Sequence, residues 1–494
     1  MVLFGMALRR RDVADDTVAV LNTLLFSAGR LKLAPTPPPC KDGYENIIVR
    51  YKAYNSKTLR NIPQIGHLTE RQIRDIEVVS TVFPFKVNNY VLENLIEWED
   101  FHNDPMFRLT FPQREMLLPA QFEAVEAALA HPEKLAETVG RIRESLNPNP
   151  AGQVQLNVPT IDGRPLMGLQ HKYRETVLFF PGRGQTCHAY CTFCFRWPQF
   201  VGMDKLVFGS NEADLLVQYL KSQPEVTDVI FTGGDPLVMK AKILASYIRP
   251  ILEAKLPHLR AIRIGSKALA YWPQRFVDDA DADELFALFE EIKHAGKHLA
   301  LMAHFNHPKE LSTPKVAQAI ERLVNAGIQT RTQSPLIRGI NDSHDVWASM
   351  WRRQVEMDLI PYYMFVERDT GAQHYFAVPL VKAWDIFKNA LQKVSGIART
   401  VRGPSMSCTP GKIEVVGVST VNEQRVIVLR MIQARNPDWV LKPFFAEYDD
   451  KAVWIDQLRP AFGQEKFFFE PALTEAFHYE PEKEEPFHRF HSDH

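Results

Sequence analysis

The 494-residue chain sets 58 Lys and Arg against 59 Asp and Glu, a net charge of −1, so its charge gives no case for nucleic acid or an anionic membrane as partner. With 45% hydrophobic and 24% charged residues it has the composition of a globular protein, long enough for two or three domains. It has only five cysteines, three of them between positions 187 and 194, which excludes a disulfide framework and suits a reducing, cytoplasmic setting.

In chain order, Arg9-Arg10-Arg11 and the apolar run Val18–Phe26 imitate a signal peptide, but Asp15 and Asp16 interrupt it, and an amphipathic helix over 1–33 is expected. Pro35, Pro37, Pro38 and Pro39 end that helix, and no apolar run is long enough to span a bilayer. Residues 1–165 read as a mostly helical region, with helical spacing at Thr69–Val79 and Gln121–Leu129.

From 166 to 418 β-rich runs alternate with amphipathic helices. The predicted strands are Val177–Phe180, Thr227–Phe231, Ala261–Ile264, Leu299–Ala303, Ile328–Thr332 and Pro361–Val366. The predicted helices are Glu212–Lys221, Ile243–Ala254, Ala282–His294, Pro314–Ala326, His344–Glu356 and Val381–Ser395. Such alternation implies right-handed parallel βαβ units. Six of them are too few for an eight-stranded barrel, so the expected α/β core is a partial (β/α)6 barrel, with a doubly wound sheet as the alternative. Residues 419–494 read as a C-terminal extension whose histidine-rich end is a solvated tail.

Ligands gather at the carboxyl ends of strands in such folds, and the unusual residues of this chain follow its strands. The first strand is followed by Cys187-x3-Cys191-x2-Cys194, three soft ligands where structural zinc takes four. His188 adjoins Cys187 too closely to share one ion with it easily, which favours an iron–sulfur cluster with one open position over a zinc knuckle with a distant fourth ligand. Later strands are followed by Gly233-Gly234-Asp235, Ser266, His304-Phe305-Asn306-His307, Gln333-Ser334 and Glu367-Arg368-Asp369. Lys412, in Pro410-Gly411-Lys412, is either a solvated loop lysine or an amine able to form a Schiff base with pyridoxal phosphate (PLP).

The cysteine loop, with Phe193 before its last cysteine, resembles the radical S-adenosylmethionine (SAM) enzymes. More specifically, a set of segments stands in the order of the lysine 2,3-aminomutase family, across most of residues 100–418. They are Asn103–Phe107 with Phe111-Pro112-Gln113, Cys187–Arg196, Thr232–Leu237, Arg263-Ile264-Gly265-Ser266, Pro273-Gln274-Arg275, His304–Pro308, Gln333-Ser334 with Arg338–Asp342, and Pro361-Tyr362-Tyr363.

The resemblance implies a [4Fe–4S] cluster on Cys187, Cys191 and Cys194, with SAM near Phe193, Gly233, Gly234, Asp235, Ser266, His304 and Gln333. It implies reductive cleavage of SAM to a 5′-deoxyadenosyl radical, PLP on Lys412, and migration of an amino group from C2 to C3 of an amino-acid substrate. Arg196 matches the family arginine that pairs with the substrate carboxylate. A flavodoxin or ferredoxin is the expected electron donor.

The chain also departs from the family. Thr176 stands where the family has a phosphate-binding arginine, leaving Lys172, Arg174 or Arg183 as substitutes, and the glycine run before the lysine shrinks to Thr409-Pro410-Gly411. Arg368 and Ser405 stand where the lysine enzyme has two aspartates for the substrate ammonium, with Asp369 beside Arg368. Arg368 and Asp369 are therefore expected to bind the substrate side chain, and the substrate is expected to be an amino acid other than, or not only, lysine. The alternative is a radical SAM enzyme on the same scaffold without PLP; a remoter one is a zinc-stabilised binding protein. The terminal segments either cap the barrel or form a homo-oligomer interface.

Overall fold

The computed structural model describes residues 50–477, apart from 204, 205 and 207. The helix expected over 1–33, Cys40 and the histidine-rich end lie outside the described residues.

A short strand β1 (Ala53–Asn55) pairs antiparallel with β2 (Lys86–Asn88). The helix Glu70–Val82 between them starts where Thr69 and Gln72 cap each other's backbone N–H groups. It buries Ile73, Ile76, Val79 and Val82, one face at helical spacing. Asp104 caps the helix Pro105–Thr110 by accepting from the Met106 and Phe107 amides (2.7 and 2.8 Å). Helices Pro119–Ala128 and Pro132–Ser145 and a small hairpin, β3 (Thr160–Ile161) with β4 (Arg164–Pro165), lead into the main sheet.

Eleven strands form that sheet in strict sequence order: β5 (Leu169–Tyr173), β6 (Thr176–Phe179), β7 (Asp228–Phe231), β8 (Ala261–Ser266), β9 (His298–His304), β10 (Gln329–Leu336), β11 (Ile360–Val366), β12 (Arg402–Ser407), β13 (Gly411–Val421), β14 (Gln424–Ala434) and β15 (Pro443–Glu447). Strands β6 to β12 run parallel; β5 joins β6, and β13 to β15 join β12, in antiparallel fashion. All six predicted parallel strands are present in order, with helices between β7 and β12 at or within three residues of the predicted bounds.

The sheet departs from the expected six-stranded partial barrel in two ways. β12 is a seventh parallel strand, and the hairpins β12–β15 continue the sheet where further βα units would close it, so the edges β5 and β15 do not pair. The sheet nevertheless curls. Lys172 on β5 donates to the Cys408 carbonyl in the β12–β13 turn, bringing one edge hairpin against the far end of the parallel run. β13 also carries the sheet straight through position 418, where the sequence suggested an extension would begin.

Along β8 and β10 burial alternates residue by residue, one set packed under helices and the other, including Arg263 and Gln333, half-buried on the opposite face. No helix among the described residues is long and apolar enough to cross a membrane.

Candidate functional site

The cysteine loop follows β6 and is gripped by the N-terminal region. Lys86 Nζ donates to the Cys187 carbonyl (2.7 Å), and Tyr51 Oη (2.7 Å) and Asn88 Nδ2 (3.3 Å) donate to the His188 carbonyl. Tyr190 N donates to Lys86 O (2.8 Å), and Thr192 donates through its amide to Leu109 O (2.9 Å) and through its hydroxyl to Arg108 O (2.8 Å). The capped helix Pro105–Thr110 is thus the support on which the loop rests.

Burial, then the charges of Asp235, Cys194 and Cys191, pushes the Cys187 thiol well up, and burial raises Cys191 and Cys194, the latter to about 12. Three thiolates cannot coexist here without a positive centre among them, which a metal supplies. Among the described residues no three His, Cys, Asp or Glu side chains are arranged to hold a metal ion. A cluster whose cysteines each bind a different iron does not require ligands to converge on one point, so the donor set suits a cluster better than a zinc knuckle. His188, held near 3 by burial, stays neutral.

Cys191 Sγ lies 3.3 Å from Tyr271 Oη, a buried partner that no local sequence pattern announced. Lys267 Nζ sits 4.5 Å above the Tyr271 ring and donates to Glu310 Oε1 (2.6 Å) and Asn306 Oδ1 (2.8 Å). Lys267 follows Ser266 and could have been suspected from that neighbour. Glu310, fully buried in the segment after β9, could not.

The glycine pair is required by a close approach. A Cβ on Gly233, whose φ is +133°, would overlap the Gln185 side chain, and one on Gly234 would overlap the Thr186 backbone. Asp235 is a brace: Oδ1 accepts from Leu237 N (2.9 Å), and Oδ2 accepts from Ser266 Oγ (3.0 Å) and Lys267 N (2.9 Å). Burial lifts its carboxyl to about 6. Asp235 and Ser266 therefore tie the ends of β7 and β8 together beside the cysteine loop.

A row of side chains leads from that loop across the sheet. Phe193 meets the His304 ring edge to face (5.9 Å); His304 on β9 is register partner to Gln333 on β10, and Gln333 to Tyr363 on β11. Adjacent strands lie about 4.8 Å apart, so these three positions span about 10 Å. Lys412 Nζ rests 4.1 Å over the Tyr363 ring. His304 Nε2 is buried without a hydrogen-bond partner, and burial, then Lys267, holds the imidazole neutral, free to accept or donate toward a ligand.

Burial, then the charges of Arg263 and Arg402, lowers the Lys412 ammonium to about 7. Among the described residues no carboxylate forms an ion pair with it. A buried, partly neutral amine over an aromatic face is what an imine-forming lysine requires, so this position fits PLP.

Arg196 and Arg368 share one ring, at 5.0 and 5.5 Å from the Phe195 centroid. Burial lowers Arg196 to about 10. Arg368 Nε reaches Asp369 Oδ1 at 3.4 Å, so Asp369 balances the neighbouring arginine. The structure thus brings the cysteine loop, Phe193, the Gly233–Asp235 turn, Ser266 and His304 together at one end, and Lys412 on Tyr363 at the other. Arg196 and Arg368 stand beside the loop.

No protein-family model matches the chain. It is 30% identical over 400 residues to a protein of Aquifex aeolicus provisionally named L-lysine 2,3-aminomutase, covering 81% of this chain and 94% of that one. It is 33% identical over 235 residues to the L-lysine 2,3-aminomutase of Fusobacterium nucleatum, covering 47% of this chain and 52% of that one. The match therefore spans about half of that second relative. Among solved structures it is similar to a radical SAM methyltransferase from Sphaerobacter thermophilus, with a TM-score of 0.34 and 15% identity over 47% of this chain and 68% of that one. A likeness of that size carries no argument.

Proposed function

Because the chain belongs to the lysine 2,3-aminomutase-like family of radical SAM proteins, we propose that it is a PLP-dependent 2,3-aminomutase whose substrate is an amino acid other than, or not only, lysine. The observation that carries the reading is the row Phe193–His304–Gln333–Tyr363–Lys412, which joins the three-thiol loop to a lysine of lowered pKa.

In this reading Cys187, Cys191 and Cys194 would hold the cluster, with SAM bound beside it. Cluster and SAM would together supply hydrogen-abstracting chemistry, and PLP, held by the Lys412 amine, would supply a conjugated ring able to delocalise an unpaired electron. The residues do the rest. Phe193 and His304 pack against each other at the cysteine end, from which the row runs to Lys412. Lys412 presents a neutral amine, and Tyr363 gives it an aromatic floor. The burial of His304 and Lys412 would keep water from reactive carbon centres.

Substrate choice follows charge. Arg196 and Arg368 stand on Phe195, and Asp369 is engaged by Arg368. A second ammonium on the substrate would meet cations here, at a cost of several kcal/mol in a buried site. A carboxylate or neutral side chain suits this environment. The test is an anaerobic assay of reconstituted protein with SAM, PLP and a reductant against a panel of α-amino acids, scoring β-amino acids by mass spectrometry. Product from an acidic or neutral amino acid at several times the lysine rate is expected. Lysine as the best substrate would refute the specificity.

One observation favours the reading without PLP: the Thr176 hydroxyl is engaged by Asp228 (3.1 Å), so no phosphate anchor stands on β6.

A further inference from the structure

We infer that Lys172, with the Tyr173 hydroxyl beside it, forms an anion site that takes the phosphate of a phosphorylated aldehyde held at Lys412. The inference deepens the PLP reading above and rests on it.

Lys172 projects from edge strand β5 onto the β12–β13 turn, where its ammonium donates to the Cys408 carbonyl. The turn is closed by Cys408 N donating to Gly411 O (2.8 Å), and Lys412 is the next residue, register partner to Ser407. Arg435 grips the same turn, its Nε donating to the Thr409 carbonyl (2.8 Å) and its amide to the Pro410 carbonyl (3.0 Å). An ammonium has three donors, and a single carbonyl leaves two for a ligand.

The Tyr173 hydroxyl is buried with Ser407 as its polar neighbour, and a ligand oxygen could accept from it. Of the three basic residues near β5 and β6, only Lys172 faces Lys412. Arg174 is on the surface with Glu175 (3.1 Å) and Glu225 (3.7 Å), and Arg183 is exposed.

The local charge calls for an anion. Lys172 is pushed well down by burial, then by Arg435, with Arg368 and Lys412 adding to the effect. The carboxylates of Asp369, which is engaged by Arg368, and of Asp456 also act on Cys408 in the turn. An anion beside Lys172 would favour its ammonium form against the neighbouring Arg435, Arg368 and Lys412. A phosphate dianion fits this role and needs several donors at once.

The test uses the whole protein with pyridoxal phosphate or with pyridoxal, which lacks the phosphate. The Lys412 amine condenses with the aldehyde, releasing one water, and borohydride reduces the C=N bond, so occupancy is read by mass spectrometry without any turnover. Wild-type protein should prefer the phosphorylated aldehyde by about tenfold or more. Lys172→Gln should abolish that preference, read as the ratio of the two adducts within the variant, and Lys172→Arg should largely restore it. Inorganic phosphate should compete with pyridoxal phosphate and not with pyridoxal in wild-type protein, a readout that stands even if Lys172→Gln fails to fold. A preference kept in Lys172→Gln, or no phosphate competition, overturns the anion site alone. No adduct with either aldehyde overturns the PLP reading and the inference together.

Discussion

Lys412 reaches a nucleophilic form near neutrality because burial, then Arg263 and Arg402, lowers its ammonium to about 7, against about 10.4 for an exposed lysine. Below that value the amine is protonated and inert; above it the amine is neutral. Borohydride-trapped adduct formation should therefore climb between about pH 6 and 8 and then level off. A rate still rising at about pH 10 would place the lysine in water. Tyr271 carries a second prediction. A cluster-bound Cys191 sulfur has no proton, so the phenol 3.3 Å away must be the donor. Tyr271→Phe should shift the cluster's midpoint potential to more negative values in an EPR-monitored titration, because hydrogen bonds to the sulfurs favour the reduced form. An unchanged potential would show the contact to be packing alone. The three cysteines stand out in the sequence by residue type and close spacing, whereas Lys412 was singled out by the family resemblance, its own residue pattern fitting a solvated loop lysine equally. Lys172 could be named only as one of three possible phosphate anchors, with Arg174 and Arg183; Tyr271 and Glu310 were not legible, because each acts on a partner from a distant strand or loop.

At the scale of elements, the turn after β7 is locked to the cysteine loop. Gly234→Ala would drive a methyl group into the Thr186 backbone, so it should cut iron uptake on reconstitution and destabilise the fold by about 1–3 kcal/mol. Wild-type iron content in that variant would contradict the close approach. The buried pair Lys267–Glu310 ties the segment after β9 to the end of β8, and Glu310 also accepts from the Asn306 and His307 amides. Glu310→Gln should cost about 3–5 kcal/mol in denaturant unfolding, by stranding a buried ammonium, whereas the double change Lys267→Met with Glu310→Met should cost less than the two singles summed. The six parallel strands were legible from apolar runs bounded by helical periodicity. β12 was not: Pro404, Ser405 and Ser407 give it no strand-like pattern, and it is a strand only because β11 and β13 pair with it on either side.

At the scale of the molecule, the parallel run places the polar turns of β6 to β11 at one set of strand ends, and the curl of the sheet brings the β12–β13 turn toward β5. The strand-end clustering could be anticipated from alternation alone. The curl could not, because it depends on Lys172 and Arg435 meeting the same turn from strands far apart in sequence. In this reading one row of residues across the sheet joins a cluster at the cysteine end to an aldehyde at Lys412. The most direct measurement is anaerobic reconstitution with iron, sulfide and PLP, followed by iron analysis and absorption spectra before and after borohydride. Wild-type protein should bind about four irons and show a broad visible shoulder, with a separate borohydride-sensitive band. The shoulder should vanish when Cys187, Cys191 and Cys194 are replaced by alanine, and the band should vanish in Lys412→Ala. Neither chromophore in wild-type protein, or both persisting in these variants, would contradict the account.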